Sequence, residues 1–359
     1  MSSSPDTIAA DHETPATSHA LPLRFTGSGS EYFRIWIVNA LLSVVTLGIY
    51  SAWAKVRTLQ YFYRNTELDG ATFDYHGRPL AILKGRAIVL VLMLAFNMAG
   101  QFSVWLPLLL GLALVLVFPP LLVRSLRFRL ANSSYRGLRF AFTGGDAGGY
   151  RVFLLWPLAT AATLGMLAPL AHQRFKQYQH EHTRYGTVPF AFSAHAGAFY
   201  GVYLRTFAMM LGLVVIAALC GIAIGVGLGS LLGHGPQRAM LATALSVGAF
   251  YVASLAIGPF FLARLQNLVW NHTTLGPHRF RSEVGAFRYF CLVLSNLVGI
   301  VLTLGLFAPF ARVRALRYRL ACVTLLAAGP LDSFVAGEAE QVGALGDAAV
   351  DWYDIDIAL

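Results

Sequence analysis

Hydrophobic residues occur along this chain in seven long runs, separated by short arginine-rich segments. Several runs approach the about 20 apolar residues with which a helix crosses a bilayer, so we expect membrane helices. Shorter stretches with apolar residues at alternate positions follow some runs and are typical of β-strands. The runs are approximately residues 33–54, 87–100, 103–123, 150–171, 205–232, 239–263 and 287–311. The alternating stretches are residues 23–29, 71–77, 138–144, 188–194 and 278–284.

A pattern of arginine, polar and aromatic residues recurs five times after these runs. Four of the units have Pro five residues before the aligned arginine, and the first has Ala52 there. A polar or basic residue follows at the third position and mostly an aromatic residue at the fourth, so these side chains share one side of a helix. We therefore predict an interfacial helix in each unit. The aligned arginines are Arg57, Arg124, Arg174, Arg264 and Arg314, and the tyrosines that follow are Tyr61, Tyr178 and Tyr318.

Three runs contain the tripeptide Thr-Leu-Gly, at residues 46–48, 163–165 and 303–305. If all seven runs spanned the membrane, two loops with four Lys or Arg each would lie opposite the other basic loops. Re-entrant hairpins that turn at Thr-Leu-Gly keep nearly all of these charges on the cytoplasmic side, and we expect their turns to be buried against protein, so that no open backbone group faces lipid. We favour re-entrant over spanning hairpins. The strands are then expected to assemble into one small cytoplasmic layer.

The expected fold is thus an α-helical integral membrane protein with internal repeats, helical hairpins and a small cytoplasmic β layer. Residues 24–83 form a half repeat, and residues 84–192 and 203–330 resemble a tandem duplication. Residues 1–23 have no Lys or Arg and are predicted to be a disordered lead. Residues 331–359 form an acidic tail, which either folds back onto the basic body or serves as a solubilising end.

Composition supports the membrane assignment. Hydrophobic residues make up 57% of the 359 residues and charged residues only 12%, whereas a soluble domain has about 25% charged residues. The formal net charge is +10, but basic loops beside apolar spans are the usual positive-inside pattern, so no nucleic-acid partner is expected.

The N-terminal segment of the chain resembles a known family. It comprises residues 25–86, FTGSGSEYFRIWIVNALLSVVTLGIYSAWAKVRTLQYFYRNTELDGATFDYHGRPLAILKGR. This segment is similar to the YjgN family of bacterial inner-membrane proteins, a domain of unknown function. The resemblance continues to the closing DIDIAL, and Ala52 departs from the Pro expected there. It implies a multi-pass protein of the bacterial inner membrane and no assigned reaction.

Polar and small residues inside the apolar runs are the remaining candidates. Asn39 and Asn296 both precede the glycine of Thr-Leu-Gly by nine residues, and they are expected to bond a turn or a neighbouring helix or, alternatively, to line a polar path. Four glycines at every fourth position predict close helix packing, within the chain or in a homo-oligomer, with a pore lining as the alternative. They are Gly221, Gly225, Gly229 and Gly233.

Catalytic and metal-binding patterns are not evident in the sequence. Four histidines lie close together, but His182 occupies a position that Asn65 and His272 hold in other units, so its expected role is structural and no metal or other cofactor is expected. We expect a non-enzymatic protein whose repeated arginines and tyrosines bind anionic membrane lipids. A transporter or channel for a small solute or lipid, and a membrane scaffold for partner proteins, are the alternatives.

Overall fold

The computed structural model describes residues 19–103, 105–232, 236–329 and 331. Within these residues the helices pair into five antiparallel hairpins. The first two pair α1 (Gly29–Val45) with α2 (Ser51–Arg64) and α3 (Pro79–Phe102) with α4 (Trp105–Ala131). In the third, α5 (Asp146–Tyr150), a π-helical turn (Arg151–Leu155) and α6 (Trp156–Ala162) lead to α7 (Ala168–Glu181). The last two pair α8 (Ala196–Leu232) with α9 (Pro236–Ser254) and α10 (Ile257–Asn271), and α11 (Ala286–Leu302) with α12 (Ala308–Ala321).

Eleven antiparallel strands connect the helical hairpins and form one sheet. They are β1 (His19–Pro22), β2 (Arg24–Phe25), β3 (Thr66–Leu68), β4 (Ala71–Tyr75), β5 (Ser133–Tyr135), β6 (Leu138–Phe142), β7 (Thr183–Tyr185), β8 (Val188–Phe192), β9 (Thr273–Leu275), β10 (His278–Ser282) and β11 (Val323–Ala327). The strand order is β1-β11-β10-β9-β8-β7-β6-β5-β4-β3-β2. Each helical hairpin therefore starts and ends at this sheet.

Four of the β-hairpins have the same construction: a strand of three residues, a two-residue turn and a strand of five residues. In the first two, both turn residues have positive φ, as at Asp69 (48°) and Gly70 (71°). Turns of this kind have a backbone twist that matches the twist of the two strands they connect. The glycines that the sequence places 12 or 13 residues after the aligned arginines all lie in these turns.

The two ends of the strand order meet at the N-terminal segment. β1 pairs with β11, with His19 opposite Ala327, and β2 pairs with β3, with Arg24 opposite Glu67. Leu23 lies between them and donates its backbone N–H to the carbonyl of Val323 at 3.0 Å. The sheet is consequently a nearly closed barrel whose seam joins the first and last described strands of the chain.

Three of the helices that lead into the barrel end at an Asn-Thr or His-Thr pair, at residues 65–66, 182–183 and 272–273. Asn65 donates its amide to the carbonyl of Tyr61 at 2.8 Å, and the Thr66 hydroxyl donates to the carbonyl of Phe62 at 2.8 Å. His182 and Thr183 bond the equivalent carbonyls of α7. These side chains satisfy carbonyls that a helix end leaves without an intrahelical partner, and the strand begins at once.

The Thr-Leu-Gly turns connect the arms of the first, third and fifth helical hairpins. In each turn the leucine and the glycine have positive φ, as at Leu164 (52°) and Gly165 (90°). The Thr163 hydroxyl donates to the carbonyl of Ala159 at 2.9 Å and accepts the N–H of Leu167 at 3.3 Å, and the N–H of Gly165 donates to the carbonyl of Thr160 at 2.8 Å. The turns thus satisfy these polar groups locally. The expectation that they are buried against protein is wrong, because the turn leucines are each 95% exposed.

The expectation of a helical membrane fold with a small β layer is wrong, because the eleven strands form a nearly closed barrel. The three-residue strands are too short to show a period of two, and each begins directly at a helix end. Within the predicted N-terminal lead, residues 19–22 form β1 and Leu23 bonds Val323 of β11. Residues 1–18 of that lead, and the acidic tail beyond Leu331, lie outside the described residues.

Candidate functional site

The five aligned arginines lie on the second arm of each helical hairpin, and all five are exposed. We call this set the arginine collar: Arg57, Arg124, Arg174, Arg264 and Arg314. Three of them have local polar partners: Arg57 donates to the Tyr50 hydroxyl at 3.1 Å, Arg174 to Gln177 Oε1 at 3.1 Å and Arg314 to Asn296 Oδ1 at 2.9 Å. Because each collar residue remains open to the surroundings, the set can contact anions outside the protein.

The three tyrosines of the predicted site connect helix ends instead of pointing outward with the arginines. Tyr61 donates its hydroxyl to the carbonyl of Ser28 at 2.7 Å, and Tyr178 donates to that of Gly145 at 2.8 Å. Tyr318 bonds both the carbonyl and the N–H of Gly285. Burial raises the pKa of Tyr61 and of Tyr178 to about 12, so both hydroxyls keep their proton at neutral pH.

Asn39 and Asn296 each donate a hydrogen bond from the first arm to the second arm of their helical hairpin, the first and the fifth. Asn296 is buried and donates to the carbonyl of Ala311 at 3.1 Å. Asn39 donates to the carbonyl of Ala54 at 3.4 Å, and its Oδ1 has no partner among the described residues. The two asparagines are therefore equivalent in position and unequal in bonding.

Gly221, one of the four glycines predicted to allow close helix packing, lies in α8. A Cβ at Gly221 would come within 2.5 Å of Ser246 Oγ on α9, so this glycine allows α8 and α9 of one chain to approach closely. Gly225 and Gly229 lie in α8, and Gly233 falls outside the described residues.

Within the described ranges, no group of three His, Cys, Asp or Glu side chains could hold a metal ion.

Two histidines of α7 are buried against aromatic rings. His180 stacks on Phe192 with 5.3 Å between ring centroids, and burial lowers its pKa to about 3, with Lys176 adding to the effect. His172 Nδ1 lies 3.0 Å from the Tyr203 hydroxyl, and burial lowers its pKa to about 4. Both rings are therefore neutral at physiological pH.

A chamber of about 370 Å³ lies between the barrel interior and the helix ends above it. Four phenylalanines from the long strands line it, and Tyr135 and Tyr185 line it from the short strands. The Tyr185 hydroxyl donates to the carbonyl of Tyr135 at 2.9 Å, and the Tyr135 hydroxyl donates to that of Leu68 at 2.7 Å, so both rings are fixed in place. The four phenylalanines are Phe73, Phe140, Phe190 and Phe280.

The helix side of the chamber carries three arginines that are not part of the collar: Arg129 on α4, and Arg312 and Arg319 on α12. Arg312 lies over the ring of Phe62 at 4.8 Å, and Arg319 Nε donates to Gln266 Oε1 at 2.7 Å. The residues predicted from sequence lie on the outward helix face and do not include these three arginines. The sequence does contain a signal for these arginines. At the fifth position after the aligned arginine, two units have Arg129 and Arg319, whereas two other units have an apolar residue.

Three helices in the described residues are long and apolar enough to cross a membrane. They are Pro79–Phe102, Trp105–Ala131 and the Ala196–Ala223 part of α8. The chain thus belongs, by fold, to a class in which helical hairpins that include apolar helices of membrane-spanning length stand on a barrel-like sheet.

Comparison with known proteins identifies the family of this chain. The family described as "Bacterial protein of unknown function (DUF898)" matches residues 20–352, and the chain belongs to this family. It is similar to the inner membrane protein YjgN of Escherichia coli K12, with 32% identity over 161 residues, which are 43% of this chain and 38% of that protein. YjgN of Salmonella typhimurium LT2 is 31% identical over 126 residues, which are 35% of this chain and 32% of the relative. The matched segments therefore cover well under half of these relatives, and no solved structure matches.

Proposed function

We propose that this protein binds the anionic lipid headgroups of one membrane leaflet through its arginine collar. The observation that carries the proposal is the distance along the helix from each hairpin turn to the collar. In the three Thr-Leu-Gly hairpins the arginine follows the turn glycine by nine residues, as from Gly48 to Arg57. The helix of the second arm begins three residues after the glycine, as at Ser51, so the nine residues combine a turn with six helical steps. Together they rise on the order of 14 Å, close to the about 15 Å of half a hydrocarbon core. A tip at the bilayer centre then has its arginine at the level of the lipid phosphates.

The second helical hairpin supports the same position for its collar arginine at the membrane interface, although this arginine lies farther from the hairpin turn. Its turn is at Ser103, and Arg124 follows 21 residues later on α4. This corresponds to about 32 Å, which is the whole hydrocarbon thickness of about 30 Å. A hairpin that crosses the membrane and one that reaches its centre therefore bring their arginines to one interface.

The surfaces beyond the collar are suited to lipid. The tip residues Leu47, Leu164 and Leu304 are each 95% exposed, and Val45 and Leu302 beside them are also exposed. Contiguous exposed apolar surface of this kind is typical of membrane contact. Each arginine near an anionic surface contributes roughly 1 kcal/mol, and a guanidinium can donate two parallel hydrogen bonds to a phosphate.

The experiment compares two triple variants with equal loss of charge. R57Q/R174Q/R314Q removes collar residues, and R139Q/R184Q/R279Q removes exposed arginines from the barrel strands. Native mass spectrometry of protein purified in mild detergent measures the bound phosphatidylglycerol. We expect the collar variant to bind on the order of a hundredfold less tightly, from roughly 1 kcal/mol per charge, and the barrel variant to retain its lipid. Equal retention in both variants, at matched thermal midpoints, would overturn the proposal.

A further inference from the structure

We infer that the chamber is a second binding site, for an anionic amphiphile: a molecule with a phosphate or carboxylate on an apolar body. This goes beyond the headgroup collar, because the chamber uses the opposite face of the helices. On α12 the collar residue Arg314 is exposed to the outside, whereas Arg312, Ala315 and Arg319 line the chamber.

The apolar body is matched by the barrel walls. The four phenylalanines of the long strands form stacked pairs along the wall, such as Phe190 and Phe280 with centroids 6.3 Å apart. Leu275 and Leu325, both buried, complete this part of the lining. A volume of about 370 Å³ lies in the range of ligand pockets, roughly 300–1,000 Å³, and aromatic walls with few polar groups are typical of such pockets.

The anionic group is matched by the arginines at the helix side. Arg319 is held in position, because its Nε donates to Gln266 Oε1 at 2.7 Å while Gln266 Nε2 donates to its backbone carbonyl at 3.1 Å. Arg312 is oriented by the Phe62 ring and by the Tyr32 hydroxyl, which its Nη1 reaches at 3.3 Å. Fixed guanidinium groups recognise phosphate and carboxylate by charge-assisted hydrogen bonds.

The two arginines of α12 also relate the chamber to the membrane interface. Arg312 and Arg319 are seven residues apart on one helix, a rise of about 10 Å. Arg312 lies two residues before the collar residue Arg314 and is itself exposed, whereas Arg319 lies near the barrel. An anionic head that enters at the level of the collar therefore meets a second guanidinium about 10 Å deeper.

Full-length protein in phosphatidylcholine nanodiscs provides the test, by calorimetric titration with empty nanodiscs as the blank. The probes are octyl phosphate, octanoate, octanol and inorganic phosphate. We expect octyl phosphate and octanoate to bind. Octanol and inorganic phosphate should bind at least tenfold more weakly, because octanol lacks the anionic group and inorganic phosphate lacks the apolar body. Saturable binding of octanol, or binding of inorganic phosphate, with the same affinity as octyl phosphate would overturn the inference.

Variants locate the site. R312Q should weaken octyl phosphate binding about tenfold, the effect of one charge-assisted hydrogen bond. R279Q is the control, because Arg279 is exposed on β10 and belongs to neither the collar nor the chamber lining, and it should leave this affinity unchanged. A315W fills the chamber without changing charge and should abolish binding, with the thermal midpoint confirming that the variant is folded. Binding that survives both R312Q and A315W, or that falls equally with R279Q, contradicts the inference. Because the collar test uses other residues and another ligand, either proposal can fail alone.

Discussion

Tyr178 donates its hydroxyl to the backbone carbonyl of Gly145 at 2.8 Å, across 33 residues of chain. The same separation joins Tyr61 to Ser28 and Tyr318 to Gly285. Each bond ties the helix that leads into the barrel to the start of the preceding hairpin arm. The tyrosines thus fix the angle at which three of the hairpins stand on the sheet.

Loss of this hydroxyl should destabilise the protein. We expect Y178F to lower the free energy of unfolding by about 1 kcal/mol, since the part-buried hydrogen bond to the carbonyl of Gly145 is lost. Thermal unfolding in detergent measures the change. Y251F is the control, because Tyr251 is 67% exposed on α9 and its substitution should leave the midpoint unchanged.

The two asparagines should differ in importance. N296L removes a donor from the carbonyl of Ala311 and an acceptor from Arg314, so we expect a cost of about 2 kcal/mol. N39L should cost clearly less, because it removes one 3.4 Å bond and an oxygen that has no partner among the described residues. Equal shifts of the thermal midpoints would show that the bonding difference has no energetic consequence.

Acid should destabilise the fold through His180. Its pKa is lowered to about 3 in the folded protein, whereas the unfolded chain binds a proton near pH 6.5. Between these values the unfolded state binds more protons, so stability is full above pH 6.5 and falls as the pH decreases. The slope approaches about 1.4 kcal/mol per pH unit.

H180F keeps a ring against Phe192 and cannot titrate. We expect its thermal midpoint to fall less than that of the wild type between pH 7 and pH 5, a range that the pKa shift defines. H172F should reduce the slope further, because burial lowers the pKa of His172 to about 4. Parallel curves for H180F and wild type would exclude this origin of acid sensitivity.

The depth of the Thr-Leu-Gly tips can be measured directly. A fluorophore on L164C, in a background with Cys220, Cys291 and Cys322 replaced by Ser, reports its position in liposomes. A tip at the bilayer centre is quenched most by a spin label near the end of the acyl chain. A hairpin that crosses the membrane instead gives strongest quenching by a headgroup-proximal label. A label on R139C of the barrel serves as the control and should be quenched by neither lipid label.

The barrel seam should be essential. Removal of residues 19–25 deletes β1 and β2 and exposes the edges of β11 and β3. We expect a large loss of monodisperse protein on gel filtration, since open strand edges promote aggregation. A variant that lacks only residues 1–18 keeps the whole sheet and is the matched control. Similar yields of both variants would show that the seam contributes little.

Part of this architecture could be predicted from local sequence. The turns at Gly70 and Gly137 and the helix ends at Asn65 and His182 depend on a few adjacent residues, and the long strands show a clear alternation. The closed sheet depends on pairing between Leu23 and Val323, which are 300 residues apart, and no local pattern contains that information.

The candidate site divides in the same way. Exposed arginines at regular spacing, such as Arg57 and Arg174, are visible as a periodic helix face. The chamber is defined only when the inner faces of several helices meet over the barrel, so Arg129 and Arg319 gain their significance from the tertiary structure. Lipid binding, transport, a scaffold role and the homo-oligomer stay predictions, and the experiments on the collar and the chamber test the first of them.

The seam has a consequence for how the molecule is made. His19 to Pro22 leave the ribosome long before Val323 to Ala327, to which they pair. β1 is therefore without its pairing partner until β11 has been synthesised. A product that ends before β11 exposes an unpaired strand edge, which promotes aggregation.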